Sequence, residues 1–317
     1  MKIHANDGIS NAGVNALEKY NFNISTTNVA QDKLEEFINQ NSIDGLLVRS
    51  ATTVRKELID SCPSLKLIGR GGVGMDNIDV DYARKQNIHV INTPAASSSS
   101  VAELVFAHLY GGVRFLHDSN RNMPLEGETK FKELKKKYSK GLELRGKTIG
   151  VIGFGRIGQE VAKIALGAGM NVIACDSFLK ETTIKLNFYD KNSVSFKIKT
   201  ISKNEVLKQA DFVTLHVPSQ KKYIIDKKEF AIMKNGAVLI NAARGGIVNE
   251  VELVAALDSG KLLFAALDTF ENEPKPDIKI LMHPNISLTP HIGAATNEAQ
   301  ERIGEELASQ INNLLKK

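Results

Sequence analysis

Three polar side chains stand just past apolar runs in the second half of the chain. His291 follows "SLTP" and precedes "IGAA". That places it in a loop beyond a strand end, where ligands gather in an open parallel sheet. Histidine titrates near neutrality, so it can trade a proton with a hydroxyl or carbonyl oxygen. Arg244 stands in "NAARGGIVNE", beyond another such run, with Gly245 and Gly246 behind it. The glycines let a ligand approach the backbone closely. The guanidinium can grip a carboxylate with two parallel hydrogen bonds. "LDTFENEP" offers Glu271 and Glu273. Either carboxylate beside His291 would favour the imidazolium, and spacing alone does not separate the two. Of the seven histidines, His4, His89, His108, His117 and His283 have no companion motif and are expected to be structural.

A proton acceptor beside a carboxylate anchor suits hydride transfer, and "GVIGFGRIGQEVAKIALGAGMNVIACDS" (150–177) supplies what would hold a hydride carrier. The run Thr148 to Ile152 reads as a buried parallel strand. Gly153, Gly155 and Gly158 then give G-x-G-x-x-G. The first glycine permits the tight turn, the second admits a pyrophosphate, and the third lets the helix pack on the strand. A helix beginning near Arg156 aims its free N–H groups and positive dipole end at the phosphates. Ile157, Val161, Ile164 and Ala165 form its apolar stripe, and Gly169 ends it. Asp176 lies 18 residues past Gly158, at the tip of a second strand. A carboxylate there accepts from a ribose 2′-OH and repels a 2′-phosphate, which favours NAD over NADP.

The elements that must position these groups alternate along the chain. Its 317 residues suggest two domains. Before the glycine motif, "LLVRS", "LKLIGR" and "IHVINT" read as buried strands, with "DKLEEFINQ" and "DVDYARKQ" as helices between them. "TPAASSSS" (93–100) reads as a linker. Ser100 and Glu103 form S-x-x-E, a capping box opening a long apolar helix over 101–117. That helix is expected either between domains or against a second subunit. Further strands are expected at "DFVTLHVP", "GAVLINAA", "LLFAALDTF" and "ISLTP", with a polar, irregular surface segment from Asp190 to Ser202. A last helix is expected from about Thr296 to Leu315. This is an α/β chain with two parallel-sheet domains, Rossmann-like or flavodoxin-like. The nucleotide motif opens the second, which is expected over 98–287. The segments 1–97 and 288–317 form the first.

Composition narrows the function classes. The net charge is +5, with six lysines from Lys130 to Lys140. No aromatic interleaving or nucleic-acid motif accompanies them, so a solvated loop or helix face is expected and no nucleic acid. The start lacks an apolar signal region, and no apolar run is long enough for a membrane span. Cys62 and Cys175 have no metal spacing. Two reduced thiols, no metal and a cytoplasmic location are expected.

"GRGGVGMDNID", "NTPAASSSSVAE", "LRGKTIGVIGFGRIGQEVA", "NAARGGIVNE", "ALDTFENEP" and "TPHIGAATNEAQ", in this order, resemble the D-isomer-specific 2-hydroxyacid dehydrogenases over nearly the whole chain. The resemblance implies an NAD domain inserted into a discontinuous substrate domain. It also implies a homodimer built on the NAD domain and the helix at 101–117. It makes His291 the acid–base, Glu273, just before the proline, its partner, and Arg244 the anchor of the substrate carboxylate. It carries cofactor contacts to the three glycines, Arg156, Ile157, Asp176, His216, Val217, Pro218, Ala242, Ala243, Arg244, Asp268, His291, Gly293 and Ala294. Within the family the likeness is greatest to the branch that oxidises D-3-phosphoglycerate with NAD⁺ in serine synthesis. There Arg49, Ser50, Arg70, Gly72 and Val73 would meet a phosphorylated 2-hydroxy acid. Longer relatives carry a serine-sensing regulatory domain, and no serine feedback through such a domain is expected here. Reduction of glyoxylate or hydroxypyruvate is the nearest alternative. An NAD-sensing protein like the family's transcriptional corepressors is the alternative of another class.

Overall fold

Apolar runs of four to six residues become parallel strands, and the amphipathic segments between them become helices. The computed structural model describes residues 1–315. The chain opens with β1 (Lys2–Ala5), α1 (Asn11–Lys19), β2 (Asn23–Ser25), α2 (Leu34–Asn41) and β3 (Gly45–Val48). It continues with α3 (Lys56–Ser61), β4 (Leu67–Arg70), α4 (Val80–Lys85) and β5 (His89–Asn92). Two long helices follow, α5 (Ser98–Val113) and α6 (Leu116–Lys137). Next come β6 (Thr148–Ile152), α7 (Arg156–Gly167), β7 (Asn171–Cys175), β8 (Glu181–Asn187) and β9 (Ser193–Lys199). Then come α8 (Lys203–Gln209), β10 (Phe212–Leu215), α9 (Lys227–Ile232), β11 (Ala237–Asn241) and α10 (Glu250–Asp258). The chain closes with β12 (Leu262–Leu267), α11 (Ile278–Leu281), β13 (Ile286–Leu288) and α12 (Asn297–Leu315).

Two units result. Residues 1–100 with those from 294 onward form one. Its sheet is parallel throughout, in the order β2-β1-β3-β4-β5, which is flavodoxin-like. Alternate side chains face opposite ways. Leu46, Val48 and Ile68 pack under α2, α3 and α4. Ile3, Leu47 and Leu67 pack under α1 and α12.

Residues 101–293 form the other unit, around a parallel sheet ordered β13-β12-β11-β10-β6-β7. The chain runs outward from β6 to β7 and then returns to β10 on the other side of β6. That reversal is the switch point of a doubly wound fold, where the crevice for a ligand opens. Ile149, Val151, Val238 and Ile240 meet α5 and α7 on one face. Val213, Leu215, Leu239 and Leu267 meet α8, α9 and α10 on the other.

Several expectations are corrected. The long helix begins at Ser98, so Ser100 lies inside its first turn and is not its cap. The serine run is therefore a turn followed by helix, with Thr93 wholly buried ahead of it. The helix also stops at Val113, because Phe115 takes a left-handed φ of 56°; the stretch 101–117 is not one helix. Val105, Phe106, Leu109 and Val113 fill the unit's own core, which accounts for its apolar circumference. The segment from Asp190 to Ser202 is not irregular. The alternation of "SVSFKIK" makes β9, paired antiparallel with β8. Thr200 then adds a single parallel bridge to Ala174 on the edge strand β7. The lysine run falls on the last turns of α6 and the turn after it, where Lys137 pairs with Asp118 at 2.8 Å. The units divide at 100/101 and 293/294. The expected boundary at 287/288 would cut through β13, between Ser287 and Leu288, and the one at 97/98 lies three residues before the observed division. Of the expected segment 288–317, the last two residues lie outside the described ones.

Candidate active site

The glycine turn leaves β6 at the switch point. Gly153 has φ 92°, and a Cβ there would sit 2.3 Å from the His216 carbonyl oxygen. A Cβ on Gly158 would sit 2.2 Å from the Gly153 carbonyl oxygen, so the helix packs hard on the turn. A Cβ on Gly155 would meet nothing within 4 Å, so the middle position opens onto free space. Gly155 is also the N-cap of α7, with no side-chain cap and no acidic residue in the first turn. Open space in front of uncapped helical N–H groups fits a pyrophosphate. Arg156 and Ile157 are the first helical residues. His216, Val217 and Pro218 leave the neighbouring strand β10 beside this turn. The His216 ring bonds Thr214 Oγ1 through Nε2 at 2.9 Å, and burial pushes its pKa down to about 3.

Asp176 stands at the end of β7 and is already well engaged. Its Oδ2 accepts from the Phe154 N–H at 2.7 Å. Its Oδ1 accepts from the N–H groups of Phe178 and Leu179 at 2.8 and 3.0 Å. Burial works against the charge, but these three donors hold the carboxyl below its usual range. With about four lone-pair sites on a carboxylate, one on Oδ2 is left for a ribose hydroxyl.

Arg244, Glu273 and His291 follow β11, β12 and β13, three neighbouring strands, at their carboxyl ends. His291 Nδ1 and Glu273 Oε2 are 2.8 Å apart. Glu273 Oε1 accepts from the Phe270 N–H at 2.9 Å. Burial raises the Glu273 carboxyl, but the bonds from His291 and Phe270 and the charges of His291 and Arg244 outweigh it and hold the group low. An apolar pocket of about 410 Å³, lined by Phe270, Pro274, Leu288 and Pro290, adjoins the pair. Glu271 goes elsewhere: its backbone and side chain exchange hydrogen bonds with Glu250 at the start of α10. Ala242, Ala243 and Arg244 form a turn braced by Asn241, whose side chain accepts from Ala243 N–H and donates to the Arg244 carbonyl. Arg244 Nη1 donates to the Ala243 carbonyl at 2.7 Å.

Asp268, buried at the end of β12, accepts from Thr289 Oγ1 and from the N–H groups of Ile292 and Gly293. It thereby grips both flanks of His291, whose φ is 55°. Ala294 opens the next segment and accepts from Gln300. Asn241 and Thr289 carry no motif of their own and were not legible in the sequence. His108, expected to be structural, has polar partners across the core in Ser287 and Thr289, as one histidine on an apolar helix signals.

Arg49, Ser50, Arg70, Gly72 and Val73 belong to the five-stranded unit. Arg70 ends β4, and Arg49 follows β3 directly beside it, since Val48 and Arg70 are register partners. Gly72 has φ 147°, and a Cβ there would overlap the Arg70 guanidinium. The loop after Val48 is fastened by Asp7, which accepts from the N–H groups of Arg49 and Thr52. Among the described residues no cluster of three potential metal ligands is present, and no helix is long and apolar enough to cross a membrane.

Comparison with known proteins gives this geometry a family. Residues 106–293 match the family described as D-isomer specific 2-hydroxyacid dehydrogenase, NAD binding domain. A hydroxypyruvate reductase of Thermotoga maritima is 40% identical over 98% of this chain and 97% of its own length. A D-3-phosphoglycerate dehydrogenase of Methanocaldococcus jannaschii is 40% identical over 100% of this chain, which spans 58% of that relative. The crystal structure of a D-lactate dehydrogenase from Aquifex aeolicus, complexed with NAD and lactic acid, is 30% identical. It superposes with a TM-score of 0.73 over 100% of this chain and 96% of its own. The chain belongs to the NAD-dependent D-isomer-specific 2-hydroxyacid dehydrogenases, with the family's NAD-binding domain in its six-stranded unit.

Proposed function

We propose that this chain oxidises D-3-phosphoglycerate to 3-phosphohydroxypyruvate, as a cytoplasmic homodimer serving serine synthesis. The observation that carries the substrate is the pair Arg49 and Arg70 at adjoining strand ends. A phosphate dianion rewards two guanidiniums that can both reach it. NAD⁺, when bound, accepts a hydride. Gly153 to Gly158 and the start of α7 would hold its pyrophosphate, and Asp176 would take the ribose hydroxyl. Arg244 binds the substrate carboxylate and polarises C2–O. His291 takes the C2 hydroxyl proton, and Glu273, bonded to its Nδ1, orients the ring so that Nε2 faces the substrate. Gly293, Ala294 and Asp268 would supply further contacts to the cofactor. The homodimer is supported by apolar surface on α6, where Leu125 is 81% and Phe131 57% exposed.

A second reading is reduction of hydroxypyruvate or glyoxylate, favoured by the match over nearly the full length of the Thermotoga relative. Initial rates with NAD⁺ and D-3-phosphoglycerate, D-glycerate or D-lactate separate the two. The expected result is preference for the phosphorylated acid, with kcat/KM reduced about a hundredfold or more by Arg49→Ala with Arg70→Ala. Faster turnover of an unphosphorylated acid, indifferent to both arginines, would establish the second reading.

A further inference from the structure

The six-stranded unit contains a polar chain behind Asp268, made of Ser287, His108 and Thr289, to which the reaction above gives no part. His108 lies on α5, 5% exposed, among the apolar side chains of that helix. Its Nδ1 is 2.8 Å from Ser287 Oγ, and its Nε2 is 2.9 Å from Thr289 Oγ1. Thr289 has one hydroxyl proton and gives it to Asp268 Oδ1 at 2.6 Å. Its Oγ1 must therefore accept from His108, so the His108 proton sits on Nε2. Nδ1 then accepts the Ser287 hydroxyl proton. Burial lowers the pKa of the ring, outweighing the attraction of Asp268 and adding to the repulsion of His117, which leaves one N–H to donate. Every donor in Ser287–His108–Thr289–Asp268 points the same way. The Asp268 carboxylate then takes the N–H groups of Ile292 and Gly293, each at 2.8 Å.

We propose that His108 is a positioning residue: its Nε2–H, acting through Thr289 and Asp268, sets the loop from Thr289 to Gly293 that carries His291. Without that donor, Thr289 Oγ1 loses its incoming bond and the hydroxyl is free to turn away from Asp268. Asp268 is then no longer held in line with the two amides that follow His291. The catalytic consequence rests on the reading of His291 as the acid–base; the effect on the loop does not.

The ring atoms permit a discriminating test. A glutamine side chain can place its amide nitrogen where His108 Nε2 stands, whereas asparagine reaches only the Nδ1 position. His108→Gln, His108→Asn and His108→Leu are compared for hydrogen exchange of the Ile292 and Gly293 amides, read by NMR. Steady-state kinetics and circular dichroism are recorded on the same proteins. In His108→Asn and His108→Leu the two amides should exchange about tenfold faster, as expected for loss of one supporting hydrogen bond. The kcat should fall by a similar factor with little change in KM for NAD⁺. His108→Gln should stay within about twofold of wild type on both measures. Equal behaviour of the glutamine and asparagine variants, or unchanged exchange in all three, would overturn the proposal. Wild-type protein inert toward every 2-hydroxy acid would sink the dehydrogenase reading, while the exchange data would still decide the role of His108.

Discussion

Glu273 is where opposing effects on one side chain can be weighed. Desolvation disfavours its charge, and the bonds from His291 and the Phe270 amide, with the nearby Arg244 guanidinium, favour it; the second set wins. Its folded-state value therefore lies below the unfolded one. The stabilisation is fully present above the ordinary glutamate value of 4.5 and fades as pH falls through the depressed folded-state value. Glu273→Gln is expected to lower Tm modestly at about pH 7, since the side chain is 36% exposed and partly screened. The gap to wild type should close as the pH falls below 4.5 and through the depressed folded-state value. Thermal melts across that range check it, and a gap that does not vary with pH would show that the charge contributes nothing. His291 itself is held at φ 55°, a region a non-glycine residue occupies only when its surroundings compel it. Asp268, bonded to the two following amides, supplies that constraint.

At the scale of elements, the site depends on loops touching beyond the sheet. The turn after β11 meets the loop after β12 at Gly245, where a Cβ would lie 1.7 Å from the Phe270 carbonyl oxygen. Arg244 is the preceding residue, and the Phe270 amide is the donor to Glu273. Gly245→Ala is expected to force these loops apart. That should cost roughly 1–3 kcal/mol of stability and about a hundredfold in kcat/KM, because a displacement of an ångström is enough to spoil alignment. Gly246→Ala is the contrast: its φ of 73° strains an alanine, but open space surrounds the Cβ. It should cost about 1 kcal/mol and leave most of the activity. Melting curves and kinetics of the two variants together test the assignment. Equal losses of activity would mean that backbone strain, not the loop contact, governs the turn. The hairpin β8–β9 belongs to the same scale: a polar stretch of sequence becomes an ordered ribbon because Ile184 and Ile198 reach the core beside α7.

At the scale of the whole molecule, α6 carries apolar side chains that the chain's own cores leave exposed. Leu116, Met123, Leu125 and Phe131 are all exposed on that helix, with Tyr110 of α5 exposed as well. Where such side chains form a contiguous patch, they mark an interaction site. If the partner is a second copy, the symmetric contact should be sensitive to buried charge. Leu125→Asp with Phe131→Asp is expected to convert a dimer to a folded monomer, read by light scattering. A wild-type mass of one chain would refute the homodimer directly.

The α/β class, the strand–glycine–helix motif, Asp176 and the three strand-end residues were all legible in the sequence. Each depends on a local property: hydrophobic period, a backbone position that only glycine fits, or a polar residue just past an apolar run. Helix ends were less legible, because Phe115 turns left-handed where its sequence neighbours still read as helix. The choice of Glu273 over Glu271 by residue chemistry alone was beyond local reading. Two carboxylates two positions apart on one loop differ only in where the loop carries them. Only the tertiary structure sent one to His291 and the other to Glu250. The part played by His108 was hidden for a stronger reason. Its partner Thr289 lies 181 positions along the chain, and folding alone brings a donor on a helix to an acceptor beyond a strand.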